Sequence, residues 1–184
     1  MRELTLHILD LVQNTLEAGA TDVKLDIEED TCQNSLIIRV SDNGRGMDEK
    51  FRQLVIDPFT TTRTTRRVGL GLPLMDMSTK MCGGYLKIDS APGVGTTVEA
   101  MYERDHLDRP PLGNLVATIK TILVGNPGFG FTYSHTVNGK QFALSAAELT
   151  EALGEVDFSH PEVLKWLNDY LTENIFILYE GVDL

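Results

Sequence analysis

The chain has 184 residues, 42% of them hydrophobic, enough to bury one core, or one core with an appendage. Its 16 basic residues face 27 acidic ones, and the net charge of -11 argues against general binding to nucleic acid or to an anionic membrane. The apolar runs fall far short of a membrane span and Met1-Arg-Glu-Leu-Thr5 has no signal-peptide layout, so a soluble cytoplasmic protein is expected.

In chain order, Leu4, Leu6, Ile8, Leu9, Leu11, Val12, Leu16 and Ala18 recur at helical spacing, predicting an amphipathic helix over 3–18 that stops at Gly19. Within it, Asp10 and Asn14 stand one turn apart on one face. Val23, Leu25 and Ile27 alternate with polar residues, and Leu36-Ile-Ile-Arg-Val40 is β-rich; together they predict a hairpin whose second strand delivers Asp42 at its end. There the chain reads Asp42-Asn-Gly-Arg-Gly-Met47, a turn with two glycines. Residues 57–69, rich in Thr and Arg with little apolar content, read as a mobile surface loop. Leu70 to Met81 reads as a helix, with Pro73 tolerated in its first turn. Tyr85–Asp89 and Thr96–Tyr102 are two further strands, linked by Ala91-Pro-Gly-Val-Gly95. Helix, two strands, loop, helix and two strands describe an α+β protein: helices layered on one face of a mixed sheet.

Cys32 and Cys82 form no CxxC pair and have no nearby His, so reduced structural thiols are expected rather than a zinc site.

The separate pieces carry weight together. Asp10-Leu-Val-Gln-Asn14 with Ala18-Gly-Ala20, then Asp42 to Met47, then Pro58-Phe-Thr-Thr61 running into Gly69-Leu-Gly-Leu72, then Gly93-Val-Gly-Thr-Thr97, come in an order that resembles the Bergerat-type ATP-binding fold of the GHKL superfamily. That superfamily includes DNA gyrase, Hsp90, histidine kinases and MutL, and the resemblance covers about residues 3–103. It implies a two-layer α/β sandwich over 1–104 that binds ATP with Mg²⁺, followed by a small α/β extension over 105–184.

The resemblance also implies roles. Asn14 matches the helix asparagine that holds Mg²⁺ on the phosphates; a neutral carbonyl ligand suits a hard ion already neutralised by phosphate. Asp10 stands where hydrolytic members carry a Glu as general base, although it is one methylene shorter, and it reads equally well as an ordinary carboxylate of an amphipathic helix. Gln13 and His7 are nearby polar alternatives. Asp42 matches the carboxylate that accepts from the adenine amino group, with Gly44, Gly46 and Met47 at the family spacing. Thr96 matches the threonine that supports the same aspartate. Gly69, Leu70, Gly71 and Leu72 match the second glycine box, where free N–H groups at a helix start face phosphate. Phe59 with Thr60 and Thr61 resembles the aromatic box of histidine kinases, and Arg63, Arg66 and Arg67 place cations on the lid, one or two of them expected to meet ATP.

The chain carries no dimerising helical hairpin with a phospho-acceptor His before the first box, and no long transducer domain after the last, so specificity is expected in 105–184. There, His106–Pro111 reads as a linker and Leu112–Val124 as a helix ended by Gly125-Asn-Pro-Gly128. Phe129–His135 and Lys140–Leu144 read as a hairpin through Asn138-Gly139. Ser145-Ala-Ala-Glu148 fits a capping box opening a helix to about Leu153, and Ser159-His-Pro-Glu162 opens another to Leu171. The aromatics Phe129, Phe131, Tyr133, Trp166 and Tyr170 are expected mostly to pack this region on the sandwich, or to present a surface to a partner protein. The Ser-His-Pro-Glu-Val-Leu stretch is similar to small stand-alone histidine-kinase-like ATP-binding proteins of anaerobic bacteria found alongside iron hydrogenase genes.

Three functions fit: a regulatory kinase-like or anti-sigma-like protein acting on a partner, a slow ATPase with Asp10 as base, and a non-catalytic nucleotide-sensing module. Phe59, the Thr run and Gly-Leu-Gly-Leu favour the first.

Overall fold

The computed structural model describes residues 3–56, 71–126, 128–154 and 156–182. The elements in order are α1 (Leu4–Glu17), β1 (Asp22–Asp30), β2 (Ser35–Asp42), α2 (Glu49–Leu54), α3 (Gly71–Met81), β3 (Tyr85–Ala91), β4 (Gly95–Glu103), α4 (Leu115–Gly125), β5 (Gly130–Val137), β6 (Lys140–Ser145), α5 (Ala146–Leu153) and α6 (Pro161–Leu178). The strands form one six-stranded sheet ordered β3-β4-β2-β1-β5-β6, antiparallel except where β5 runs parallel to β1. The expected mixed sheet of an α+β fold is present.

Each strand alternates, so one face of the sheet is apolar and the other polar. Val23, Leu25 and Ile27 of β1, Leu36, Ile38 and Val40 of β2, Val98, Ala100 and Tyr102 of β4, and Phe131, Tyr133 and Val137 of β5 are all buried. They pack under the helices: α1 touches α3 on one side and α4 on the other, and α6 packs on α4. The opposite face carries Arg39, whose guanidinium bonds Glu99 at 2.6 Å, and Tyr85, whose hydroxyl donates to the same carboxylate at 2.9 Å.

Local sequence accounts for most of these boundaries. α1 ends where Gly19 takes φ of 74°, a left-handed value that ends helices cheaply only at glycine. α4 begins at Leu115 rather than at Leu112, because Asn114 caps it by accepting from the Ala117 N–H at 2.9 Å. The capping box expected at Ser145 does not form, since the Ser145 side chain makes no cap bond; Ser145 instead ends β6 opposite Thr132. α6 runs on to Leu178, past the expected end at Leu171, because Ile175 and Leu178 still pack on the core. α2 was not expected; Asp48 caps it by accepting from the Phe51 N–H at 2.8 Å.

Beyond residue 105 the chain returns to the same sheet. β5 lies against β1 from Asp22↔Gly130 to Glu29↔Val137. Near one end of this ladder a buried polar cluster forms: Glu29 accepts from Arg104 Nε at 3.1 Å and from the Tyr179 hydroxyl, and pairs with His135 Nε2 at 3.3 Å. His135 Nδ1 in turn meets the Tyr133 hydroxyl at 3.0 Å. Burial alone would raise the Glu29 carboxyl, but the bonds from His135, Tyr179 and Arg104 outweigh it and hold the group below the ordinary glutamate range.

Candidate functional site

The site lies at the opposite end of the β1–β2 hairpin from Glu29, where β2 delivers Asp42. Asp42 continues the inward row of Leu36, Ile38 and Val40, and stands directly opposite Thr96 of β4. Oδ1 of Asp42 accepts from the Gly44 N–H at 2.8 Å and from the Thr96 N–H at 3.3 Å. Both bonds fall on one oxygen, and Oδ2 receives none of the hydrogen bonds among the described residues. Burial pushes the carboxyl above its ordinary value, with the two N–H donors partly offsetting it. A half-buried carboxylate with one oxygen held, and the other without a donor among the described residues, can accept one more donor.

The turn that follows is fixed from both sides. Asn43 Oδ1 accepts from the Thr21 and Asp22 N–H groups at 2.9 and 3.0 Å, and its amide donates to Thr21 Oγ1 at 3.0 Å. Arg45 N–H donates to the Ala18 carbonyl at the end of α1, and Gly93 N–H donates to the Arg45 carbonyl. Gly46 has φ of 63°, and a Cβ there would lie 1.9 Å from the Ala91 carbonyl oxygen. Its glycine is therefore required by the packing of the turn on the β3–β4 connection. Gly44 approaches Ala18 instead, where a Cβ would meet the Ala18 Cβ at 3.1 Å. Met47 is partly buried on the core, and its N–H donates to Ser90 Oγ at 2.8 Å.

α1 supplies the other wall. Asp10 is exposed and Asn14 half-buried, one turn apart. Gly71, the first residue of α3, sits against Asp10: a Cβ on it would lie 3.2 Å from Asp10 Oδ2. Leu72 is buried beneath. Thus the predicted Asp10, Asn14, Asp42, Gly44, Gly46, Met47, Gly71, Leu72 and Thr96 fall on α1, the β2 turn, the start of α3 and the start of β4. Phe59, Arg63, Gly69 and Leu70, with Thr60, Thr61, Arg66 and Arg67, lie outside the described residues. Of the polar alternatives on α1, Gln13 is exposed and bonds Glu17, while His7 is 2% exposed. Burial lowers the His7 pKa, against the raising influence of Asp10.

Sequence reasoning missed Ser90 and Asn43. Ser90 lies on β3, opposite Thr96, and contacts Met47, Gly95 and Thr96 at once. Asn43 stood inside the motif as an unassigned letter, and its three bonds to the start of β1 are what hold Asp42 at the mouth of the turn.

The donor set suits an ion shared with a ligand better than a metal held by protein alone. Asn14 offers one neutral amide oxygen, and the described residues contain no group of three or more His, Cys, Asp or Glu able to hold a metal. Among the described residues no helix is long and apolar enough to cross a membrane.

The sequence profile described as "Histidine kinase-, DNA gyrase B-, and HSP90-like ATPase" matches residues 2–105. The chain is 28% identical over 123 residues to the non-motile and phage-resistance protein of Caulobacter vibrioides, a match over 64% of this chain and 15% of that protein. It is 29% identical over 115 residues to the autoinducer 2 sensor kinase/phosphatase LuxQ of Vibrio cholerae, over 60% of this chain and 13% of the relative. The chain therefore spans only a small part of the length of these relatives. Among solved structures, the N-terminal domain of a DNA repair protein superposes with a TM-score of 0.52 at 19% identity, covering 79% of this chain and 53% of that one, which is a likeness of fold.

Proposed function

From the premise that this chain belongs to the histidine kinase-, DNA gyrase B-, and HSP90-like ATPase family, as an ATP-binding domain of that kind, we propose that it is a regulatory, kinase-like Mg-ATP-binding protein acting on a protein partner. The observation that carries the nucleotide part is the Asp42–Thr96 pair, in which Oδ1 is held by two backbone donors and Oδ2 is left for a third. An exocyclic amino group is a donor that such an oxygen can take, which fits the adenine of the ATP that the family binds. The triphosphate would lie along α1 towards Gly71 of α3, which stands beside Asp10. Asn14 would hold Mg²⁺, whose contribution is to neutralise phosphate charge.

The partner part rests on the similarity to a sensor kinase/phosphatase and on the surface of α6. Trp166 is 46% exposed and stacks on Tyr170 at 5.1 Å, and Phe176 and Ile177 are exposed further along the helix. Exposed aromatics on the C-terminal region fit a protein contact made there, while Phe131 and Tyr133 are buried and serve packing.

A slow ATPase is the second reading, favoured by the contact of Asp10 with Gly71, which puts an exposed carboxylate beside the proposed phosphate end. One experiment addresses both. Mg-ATP is titrated calorimetrically into the wild type and Asp42→Asn, and the nucleotide is then assayed for ADP. Binding by the wild type that the variant loses supports the site, and no binding by the wild type would sink it. ADP formed without a partner favours the ATPase; binding without ADP favours the regulatory reading.

A further inference from the structure

Ser90, Thr96 and Asp42 stand side by side in one row across β3, β4 and β2: Ser90 pairs with Thr96, and Thr96 with Asp42. By strand alternation Ser90 shares the side of Ile88, Thr96 that of Val98, and Asp42 that of Val40, so all three face the helices. The row continues with Val23 of β1, which is apolar, so the polar groups end at Asp42.

A hydroxyl has one proton and two lone pairs. The Ser90 hydroxyl accepts from the Met47 N–H at 2.8 Å and donates to the Gly95 carbonyl at 3.0 Å. Its only proton is committed to Gly95, whose carbonyl can only accept. The 2.9 Å contact between Ser90 Oγ and Thr96 Oγ1 is therefore closed by the Thr96 proton, with Ser90 accepting on its second lone pair. Thr96 Oγ1 is left with lone pairs alone to offer beside Asp42.

We infer that Ser90 is a positioning residue that sets base specificity: by taking the Thr96 proton it makes the base end of the site acceptor-only, Thr96 Oγ1 beside Asp42 Oδ2. Such a pair takes a purine with an amino group at position six and opposes one with an oxo group there, whose lone pairs would face theirs. The inference rests on the nucleotide reading of the site. Without Ser90, the Thr96 proton is released and can turn towards the base, where it would donate to an oxo group and compete for an amino group.

The test compares Mg-ATP with Mg-ITP, which differ at position six in this sense, by calorimetric titration of the wild type, Ser90→Ala and Ser90→Thr, with thermal unfolding to verify that each variant is folded. The wild type is expected to prefer ATP. Ser90→Ala should narrow the ATP to ITP affinity ratio by about tenfold, the effect of one misdirected hydrogen bond. Ser90→Thr, which keeps the hydroxyl, should retain the wild-type ratio. In a Thr96→Val background Ser90→Ala should leave the ratio unmoved, because the proton at issue is gone. Should Ser90→Ala fail to fold, Ser90→Cys, with its weak S–H donor, carries the same expectation of a narrowed ratio. Equal proportional loss of both nucleotides, with the ratio unchanged, would overturn the role of Ser90 and leave the nucleotide reading standing. A wild type that binds neither nucleotide would overturn the nucleotide reading, and this inference with it.

Discussion

The Cβ that Gly95 lacks would lie 2.0 Å from the carbonyl oxygen of Asp42. Gly95 also has φ of 128°, a conformation that L side chains rarely adopt. The start of β4 is thus pressed on the end of β2 so closely that the Asp42 carboxylate is held by backbone on both sides. Gly95→Ala should cost about 2–4 kcal/mol from strain and overlap together, lowering the unfolding midpoint by several degrees. Differential scanning calorimetry checks it; an unchanged midpoint would mean that the turn relaxes freely.

Asp42 should be a liability to the empty protein. Burial raises its carboxyl above the ordinary value of 3.8, so the folded state holds the proton more tightly than the unfolded chain does. Stability from this group is present at low pH and is lost as pH rises from about the ordinary value through the raised one. Asp42→Asn should therefore unfold at a higher temperature than the wild type at neutral pH, the two converging in acid, while ATP affinity is lost. Melting curves at several pH values, without nucleotide, test the first half; a variant less stable at neutral pH would refute it.

Asn43 makes three bonds between the turn and the start of β1, and no other described side chain bridges Thr21 and Asp22 to it. Asn43→Ala should cost about 1–3 kcal/mol and weaken ATP binding without altering the choice between ATP and ITP, since the carboxylate is displaced rather than changed. Urea unfolding and calorimetric titration give the two halves separately.

Asp10 is exposed and touches Gly71, so a neutral replacement leaves packing intact. If the protein hydrolyses ATP, Asp10→Asn should reduce ADP formation by about 10²–10⁴-fold, with affinity nearly unchanged. Equal rates in variant and wild type would remove Asp10 from the chemistry.

What the sequence made legible was local. The period of α1, the alternation of β1 and β2, the Gly19 stop and the turn after Asp42 are each written in neighbouring residues, and the structure carries them at nearly the expected bounds. α2 escaped because its six residues have no buried face to give a period. The end of α6 escaped because exposed Phe176 and Ile177 blur the apolar stripe that Ile175 and Leu178 continue. The parallel pairing of β5 with β1 joins residues more than a hundred positions apart, and nothing in either strand names its partner. Ser90 was hidden for the same reason: its meaning comes from Thr96 and Met47, across two different strands and a turn.

Glu29 sits 7% exposed with Arg104, His135 and Tyr179 on its carboxylate, which stays below the ordinary value of 4.5. A depressed carboxyl contributes stability above the unfolded value, and that stability is lost as pH falls through the folded one. Glu29→Gln should cost about 1–3 kcal/mol at neutral pH and flatten the loss of stability on acidification below about 4.5. Urea unfolding at neutral and acid pH measures both.

The parallel ladder between β1 and β5 also makes the second half of the chain a shield. Removing the residues after 105 would strip β1 of a partner from Asp22 to Glu29, leaving unpaired N–H and C=O groups along a strand with one apolar face. The same cut would take away His135 and Tyr179 and leave the Glu29 charge in a half-opened core. A fragment limited to residues 2–105, the part that matches the family, would leave β1 as an edge of its sheet, so the region with the fewest recognisable motifs completes the fold of the rest.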